Sequence, residues 1–373
     1  MIVILQHSLN PYKTELFNAM AKAGMSIKVY YLAQPAQNRR WQQKDFQLNF
    51  PHLFLKGFKI YFPGVHHNYF HFSKGLWQQL KKDQPTKIIT ISWNHSATFQ
   101  AWFYAKLNKT PFWLWSQSTS YETSWQRTLT KPLIKFLVKS VDGLIAGGTR
   151  AKDYLIELGA TPKKILVSYN TVDNDFFINQ AKKQAQKQRK TLRKKFRLSN
   201  QDRLVLYVGR FSLEKGIFPL LELAKQFKNK QHLHWLLIGY GPLEAQIKEF
   251  IKTHQLSQVN LLGFVANQEL INYYATADVF LLPSWQENWG IVVNEAMCAA
   301  KPVLVSKYAG CSVDLVKDGV NGYVIDPADI LDLKTKLIKL IKNQQQLVKS
   351  GQASLAIIKK FNYQNNIQVL KQI

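Results

Sequence analysis

Short apolar runs, each followed by a longer segment with helical spacing, recur along the whole of this 373-residue chain, and that alternation limits the fold more than any other feature. It is the pattern of an α/β protein with parallel sheets. A first series puts strands at 2–5, 27–31, 88–91, 112–115, 143–146 and 165–167, with helices at 11–23, 97–107, 129–138 and 151–158. The first of these helices opens with Asn10 as cap and Pro11 in its first turn. A second series puts strands at 204–208, 235–238, 260–262, 279–282, 303–305 and 323–325, with helices at 218–227, 242–253, 268–274 and 291–299. The stretch 330–373 reads as helix with few breaks. Two series, in a chain too long for one ordinary core, imply two domains. The expected division is 1–180, a linker at 181–199, and 200–352.

Charge is the next constraint. With 46% hydrophobic and 13% aromatic residues the chain is globular, yet 50 Lys and Arg against 23 Asp and Glu leave a formal charge of +27. Such a protein is drawn to something anionic: nucleic acid, an anionic membrane surface or a phosphorylated substrate. The two cysteines, Cys298 and Cys311, form neither a disulfide framework nor a metal motif, which fits a reducing, cytoplasmic setting. The N-terminus lacks the basic lead-in and cleavage site of a secretory signal, and no apolar stretch approaches a membrane span. Contact with a membrane is expected from the surface, on its inner face. Within 182–197 there are nine basic residues and no acid. A solvated linker is the plain reading. Contact with an anionic surface is the sharper one, since Leu192 and Phe196 interrupt the run at helical spacing.

The most informative stretch is 283–297, PSWQENWGIVVNEAM, which follows an apolar strand. A helix starting near Gly290 turns the free N–H groups of Gly290, Ile291 and Val292 toward the carboxyl edge of the sheet, where they make a phosphate site. At a rise of about 1.5 Å per residue, Glu295 lies roughly 7 Å along that helix, while Glu287 precedes it. One carboxylate therefore falls on each side of the phosphate site, suited to the hydroxyl-bearing rings of a nucleoside diphosphate sugar. Either acid alone would be an ordinary surface residue; the pair around Gly290 points to function. In 209–216, GRFSLEKG, Arg210 and Lys215 stand at a strand end where they can neutralise a diphosphate. The order of glycine and lysine is not that of a Walker A loop. The turn 239–242, GYGP, lacks the third glycine of a dinucleotide fingerprint and reads as a tight strand-to-helix connection. His95, after the strand at 88–91, is a weaker candidate. Asp173 and Asp175 have D-x-D spacing but sit in a turn, and His66, His67 and His71 have no carboxylate or cysteine company.

At these motifs the second domain resembles the retaining glycosyltransferases of the GT-B fold, family 4 or group 1. The matched pattern is G-R-x4-K-G at 209–216, G-x-G-P at 239–242 and E-x7-E at 287–295, continuing through Pro302, Gly310 and DGVNG at 318–322. It covers nearly all of 200–330. The resemblance implies two Rossmann-like, doubly wound α/β domains facing a central cleft, with the C-terminal helix at about 353–373 crossing back onto the first. It also implies that Arg210 and Lys215 hold the diphosphate, that Glu295 binds the ribose and that Glu287 contacts the donor sugar. Asn288, Trp289, Gly290, Ile291 and Val292 lie against sugar and phosphates, and Phe264 near the base. No metal and no cofactor is required; the donor is a UDP-, GDP- or ADP-sugar. The first domain matches more loosely, through NPYK at 10–13 and NTVD at 170–173. Residues 8–11 stand where many members have a glycine-rich loop. Gln117 falls in a segment where many carry a histidine.

The implied activity is transfer of a sugar from a nucleoside diphosphate to an acceptor hydroxyl with retention of configuration. Aromatic and basic residues at 56–62 and 66–72, with the overall charge, suggest a lipid-linked or cell-surface glycan acceptor at an anionic membrane. A nucleic-acid-binding protein would explain the charge but not the paired acids or the strand-end arginine, so no nucleic acid is expected. A non-catalytic member of the fold is the other alternative.

Overall fold

Strands of Val, Ile, Leu and Tyr with no polar alternation need cover on both faces, and parallel sheets flanked by helices supply it. The computed structural model describes residues 1–33, 46–61, 69–122, 125–228, 230 and 232–373. These fall into two units, Met1–Tyr169 with Tyr363–Ile373, and Asn170–Asn362. His66, His67 and Asn68 lie outside the described residues.

Unit 1 runs β1 (Ile2–Gln6), α1 (Pro11–Lys22), β2 (Ile27–Tyr31), β3 (His52–Phe54), β4 (Gly57–Tyr61), β5 (Tyr69–Ser73), α2 (Leu76–Asp83), β6 (Lys87–Ile91), α3 (Ser96–Leu107), β7 (Phe112–Ser116), α4 (Trp125–Ser140), β8 (Gly143–Ala146), α5 (Thr149–Glu157) and β9 (Ile165–Val167). Seven strands form one sheet in the order β3-β2-β1-β6-β7-β8-β9, every pair parallel. One core, with Leu114, Leu137 and Leu144, lies between the sheet and α2 to α5. A second holds Phe17, Met20 and Trp115. The antiparallel pair β4–β5 stands apart from the sheet. It escapes the strand–helix alternation, as do the three-residue β3 and α2, which is why the sequence pattern missed all four.

Unit 2 runs α6 (Asn174–Lys195), β10 (Arg203–Val208), α7 (Ile217–Lys225), β11 (Leu233–Ile238), α8 (Glu244–Thr253), β12 (Val259–Leu262), α9 (Asn267–Thr276), β13 (Val279–Leu282), α10 (Ile291–Cys298), β14 (Val303–Ser306), α11 (Ser312–Leu315), β15 (Gly322–Ile325), α12 (Ile330–Ile341) and α13 (Gln344–Ile358). Its six-stranded sheet is ordered β12-β11-β10-β13-β14-β15, again parallel throughout. Both sheets therefore reverse their winding once: between β1 and β6 in unit 1, and between β10 and β13 in unit 2. Ligands of doubly wound sheets bind at that reversal, beyond the carboxyl ends of the strands.

The expected linker at 181–199 is not a linker. Its first part is the body of α6, which packs beside α9 and α10 within unit 2. Ala181 and Leu192 are buried. Arg189 and Arg193 both reach the buried carboxylate of Asp278, at 2.9 and 3.3 Å. Arg193 also donates to the carbonyls of Ser199 at 2.5 Å and Asp202 at 2.9 Å. A few buried apolar side chains and two arginines clamped on Asp278 hold the helix where the sequence offers mainly charge. The unit boundary correspondingly falls at residue 170, and only α14 (Tyr363–Leu370) with the last residues belongs to unit 1, where Leu370 and Ile373 join the core that includes Phe17. α13 belongs to unit 2.

Candidate functional site

At the reversal in unit 2, the loop after β10 and the loop after β13 meet through backbone. Gly216 has φ +65°, and a Cβ added there would stand 1.8 Å from the Pro283 carbonyl oxygen. A side chain is excluded twice, by conformation and by space. The N–H groups of Trp285 and Gln286 donate to the Glu214 carbonyl at 2.9 and 3.1 Å, tying the loops together. A second close approach joins the loops after β10 and β11. A Cβ on Gly239 would lie 1.8 Å from the Gly209 carbonyl oxygen, and Phe211 N–H donates to Tyr240 at 2.9 Å. The glycines of GRFSLEKG and GYGP are thus places where one backbone lies on another.

This scaffold brings Lys215 and Glu287 together. The ammonium is 2.6 Å from Oε2, both side chains half-buried. Glu287 is held by its main chain too, its carbonyl accepting from Gly310 N–H at 2.9 Å. A Cβ on Gly310 would strike the Asn288 carbonyl at 1.9 Å. Trp289 is buried, its indole N–H donating to Asn294 at 2.9 Å. Gly290, at φ +97°, ends the loop, and α10 begins at Ile291 with no side-chain cap on its first N–H groups. An uncapped helix start at a sheet edge is positive and unsatisfied, suited to a phosphate.

Arg210 is exposed, and among the described residues its guanidinium has no ion-pair partner. Its carbonyl accepts from the buried Tyr207 hydroxyl at 3.0 Å. Burial pushes the Tyr207 phenol up, and the charges of Glu287 and Glu214 add to the shift, so it stays a neutral donor. Arg210 also lines a cavity of about 150 Å³ with Val208, Ile238, Tyr240, Phe264 and Leu270. Phe264 is edge-on to Tyr240, ring centroids 5.7 Å apart. Ligand pockets usually measure about 300–1,000 Å³. This space therefore suits one ring of a larger ligand.

Glu295 lies on α10. It is only 2% exposed, and Oε2 accepts from the Tyr274 hydroxyl of α9 at 2.7 Å. Periodicity puts the acid on α10 but carries no sign of a tyrosine on another helix closing over it.

His95 and Gln117 lie in unit 1, after β6 and β7. His95 stacks on His7, which follows β1, with centroids 4.3 Å apart and planes at 6°. Lys13, to which the sequence reading gave no role, is buried in the first turn of α1 with its ammonium 3.6 Å over the Trp115 ring. Burial lowers its pKa to about 7. One signal was available: a lysine in a first turn opposes the helix dipole and calls for a reason.

The two-unit α/β fold is that of the GT-B glycosyltransferases. Over its length the chain is similar to the Anabaena protein HepE, solved in complex with UDP, at a TM-score of 0.79 and 19% identity, covering 100% of this chain and 98% of that one. Residues 188–355, which lie within unit 2, match the family model described as glycosyl transferases group 1. Among curated relatives, a sulfoquinovosyl transferase of Arabidopsis thaliana is 31% identical over 255 residues, 65% of this chain and 46% of that protein. The alpha-monoglucosyldiacylglycerol synthase of Acholeplasma laidlawii is 32% identical over 158 residues, 42% of this chain and 39% of that one. The aligned part spans less than half the length of these relatives.

Proposed function

We propose that the protein is a retaining glycosyltransferase of family 4 that moves a sugar from a nucleoside diphosphate to an acceptor hydroxyl. The observation that carries this reading is the reversal point of unit 2, where Arg210, the Lys215–Glu287 pair and the uncapped start of α10 border one sheet edge. The diphosphate lies at Gly290, Ile291 and Val292, with Arg210 forking onto it. The base enters the cavity beside Phe264. As the bond to the sugar breaks, negative charge grows on the leaving phosphate, and these fixed donors stabilise it. Lys215 approaches the phosphate while holding the Glu287 carboxylate toward the sugar, with Asn288 and Trp289 shaping the wall. Glu295 takes the ribose hydroxyls in exchange for its bond to Tyr274. The acceptor hydroxyl attacks from the leaving-group face and its proton passes to the departing phosphate, so neither a metal nor a covalent intermediate is needed.

The acceptor is a lipid-linked or cell-surface glycan precursor, and the protein works at the cytoplasmic face of a membrane. Two observations support this: the +27 charge and the alignment with an enzyme whose name specifies a diacylglycerol. Among the described residues no helix is long and apolar enough to cross a bilayer. A thermal-shift titration with UDP, GDP and ADP tests the donor site. One nucleotide should raise the midpoint, and Arg210→Ala should abolish the rise. A rise with nucleic acid alone would sink the reading in favour of a binding protein.

A further inference from the structure

Large apolar side chains exposed singly are normal on a protein surface, whereas a cluster marks a contact site. Five such side chains stand on two touching helices of unit 1, two on α3, where the Phe103 ring also meets Trp77 of α2 with centroids 6.1 Å apart, and three on α4. Phe103 and Leu107, one turn apart on α3, are 54% and 61% exposed; Leu129, Leu133 and Phe136, along one stripe of α4, are 70%, 49% and 57% exposed. The helices touch, since the Phe136 ring lies edge-on to Trp102 with centroids 5.7 Å apart. On its other side α4 gives Ile134, Leu137 and Val138 to the core. The helix is apolar on both sides, and the fold uses one.

The charged residues carried by the two helices themselves have a single sign. Neither helix contains Asp or Glu, while α3 carries Lys106 and α4 carries Arg127, Lys131, Lys135 and Lys139. Arg127 is paired with Glu122 and Lys131 with Glu157, both acids outside the two helices. Lys106, Lys135 and Lys139 have no ion-pair partner among the described residues. Lysine is depleted from protein–protein interfaces, so this mixture is a poor subunit contact. It suits a bilayer, where apolar side chains enter the acyl boundary and lysine stems reach along them to lipid phosphates.

We propose that α3 and α4 form a docking surface for an anionic lipid bilayer, with Leu129, Leu133, Phe136, Phe103 and Leu107 inserted and Lys106, Lys135 and Lys139 on the headgroups. This surface rests on the membrane-face part of the proposed function and is independent of the donor site. It also differs from the basic segment 182–197, whose Leu192 is spent in the core of unit 2.

Co-sedimentation of the full chain with vesicles tests it, using phosphatidylcholine alone and an equal mixture with phosphatidylglycerol. The wild type should pellet with the mixture and not with phosphatidylcholine alone. Leu129→Ser/Leu133→Ser/Phe136→Ser should reduce partitioning at least about tenfold, and Lys135→Gln/Lys139→Gln by about fivefold per lysine. Leu331→Ser, at an isolated exposed leucine of unit 2, should bind as the wild type does. The thermal midpoint and its response to whichever of UDP, GDP and ADP raises it in the wild type, measured on every variant, separate loss of lipid binding from misfolding and from failure of the donor site. Should the triple variant misfold, the lysine pair decides. Partitioning unaffected by the lysine pair would overturn the proposal. So would a wild type that ignores both vesicles, or one that sediments as a dimer dissociated by the triple substitution.

Discussion

At the reversal of unit 2 a lysine meets a carboxylate; at the reversal of unit 1 a lysine meets the face of a tryptophan. Lys215 and Glu287 are 2.6 Å apart and half-buried. Lys13 is buried over Trp115, with no carboxylate partner among the described residues. The helix starts differ in the same way. α10 opens at Gly290 without a cap, whereas at α1 the Asn10 side chain accepts from the N–H groups of Tyr12 and Lys13 at 3.1 and 3.2 Å. One topology thus provides two places of the same kind, and side chains decide what each can hold. Unit 2 offers a helix start without a side-chain cap and a charge pair at 2.6 Å. Unit 1 offers a closed helix start and one titratable amine.

The most damaging change should be Gly216→Val, which attacks the backbone contact on which the unit 2 arrangement depends. The Pro283 carbonyl must move away, and a branched residue must accept φ +65°. A loss of about 3–5 kcal/mol is expected, with the nucleotide-induced rise in midpoint gone. Denaturant unfolding with and without nucleotide measures both. A stable, nucleotide-responsive variant would break the claim that this contact builds the site.

Lys13→Met probes the other side of the comparison, with opposite sign. Unfolded, the amine holds its proton to about 10.5; folded, only to about 7. Between those values the unfolded chain binds more protons, so wild-type stability rises with pH across that window, and below about 7 the burial penalty is complete. Removing the amine should therefore stabilise unit 1 by roughly 2–4 kcal/mol below that pH, with the gain shrinking toward pH 10.5. Midpoints of the two proteins across pH test this, and a difference that does not vary with pH would mean the amine is solvated.

For Lys215 and Glu287 a double-mutant cycle with Lys215→Met and Glu287→Gln should return a coupling of about 1–2 kcal/mol, less than either change above because both groups retain water. A coupling near zero would leave the pair as a surface accident and remove the contrast with Lys13.

How much of this the sequence disclosed depended on whether the signal was local. The parallel strands were legible because burial on both faces leaves runs such as Val279–Leu282 without polar interruption. Arg210, Lys215, Glu287 and Gly290 were legible because each lies in the loop that leaves such a run. α6 was not, since its buried positions include Asn174, Ala181 and Arg193, which carry little hydrophobic contrast, and Asp278 that anchors it is remote in sequence. The Tyr274–Glu295 bond and the seat of Lys13 over Trp115 join separate elements, and no spacing rule reaches across them. The exposed stripe of α4 was hidden differently: a helix apolar on both sides looks like an ordinary core helix until its surroundings are known.

The smallest effect sharpens the contrast between the two helix starts. In α1 the cap is part of the fold, and Asn10→Ala should cost unit 1 about 1 kcal/mol, a fall of roughly 2–4 °C in its midpoint. In α10 the missing cap is read as room for a phosphate, so supplying one should trade binding for nothing. Gly290→Asn offers a side chain to the first N–H groups and tolerates positive φ better than other residues. Its Cβ must still displace Leu282 Cδ2 from 2.9 Å, so a small loss of stability is expected along with a loss of nucleotide affinity. The informative quantity is the ratio of the two. If Gly290→Asn binds nucleotide as the wild type does while Asn10→Ala destabilises as predicted, the open start of α10 is a packing consequence of Gly290 and the phosphate belongs elsewhere on the edge.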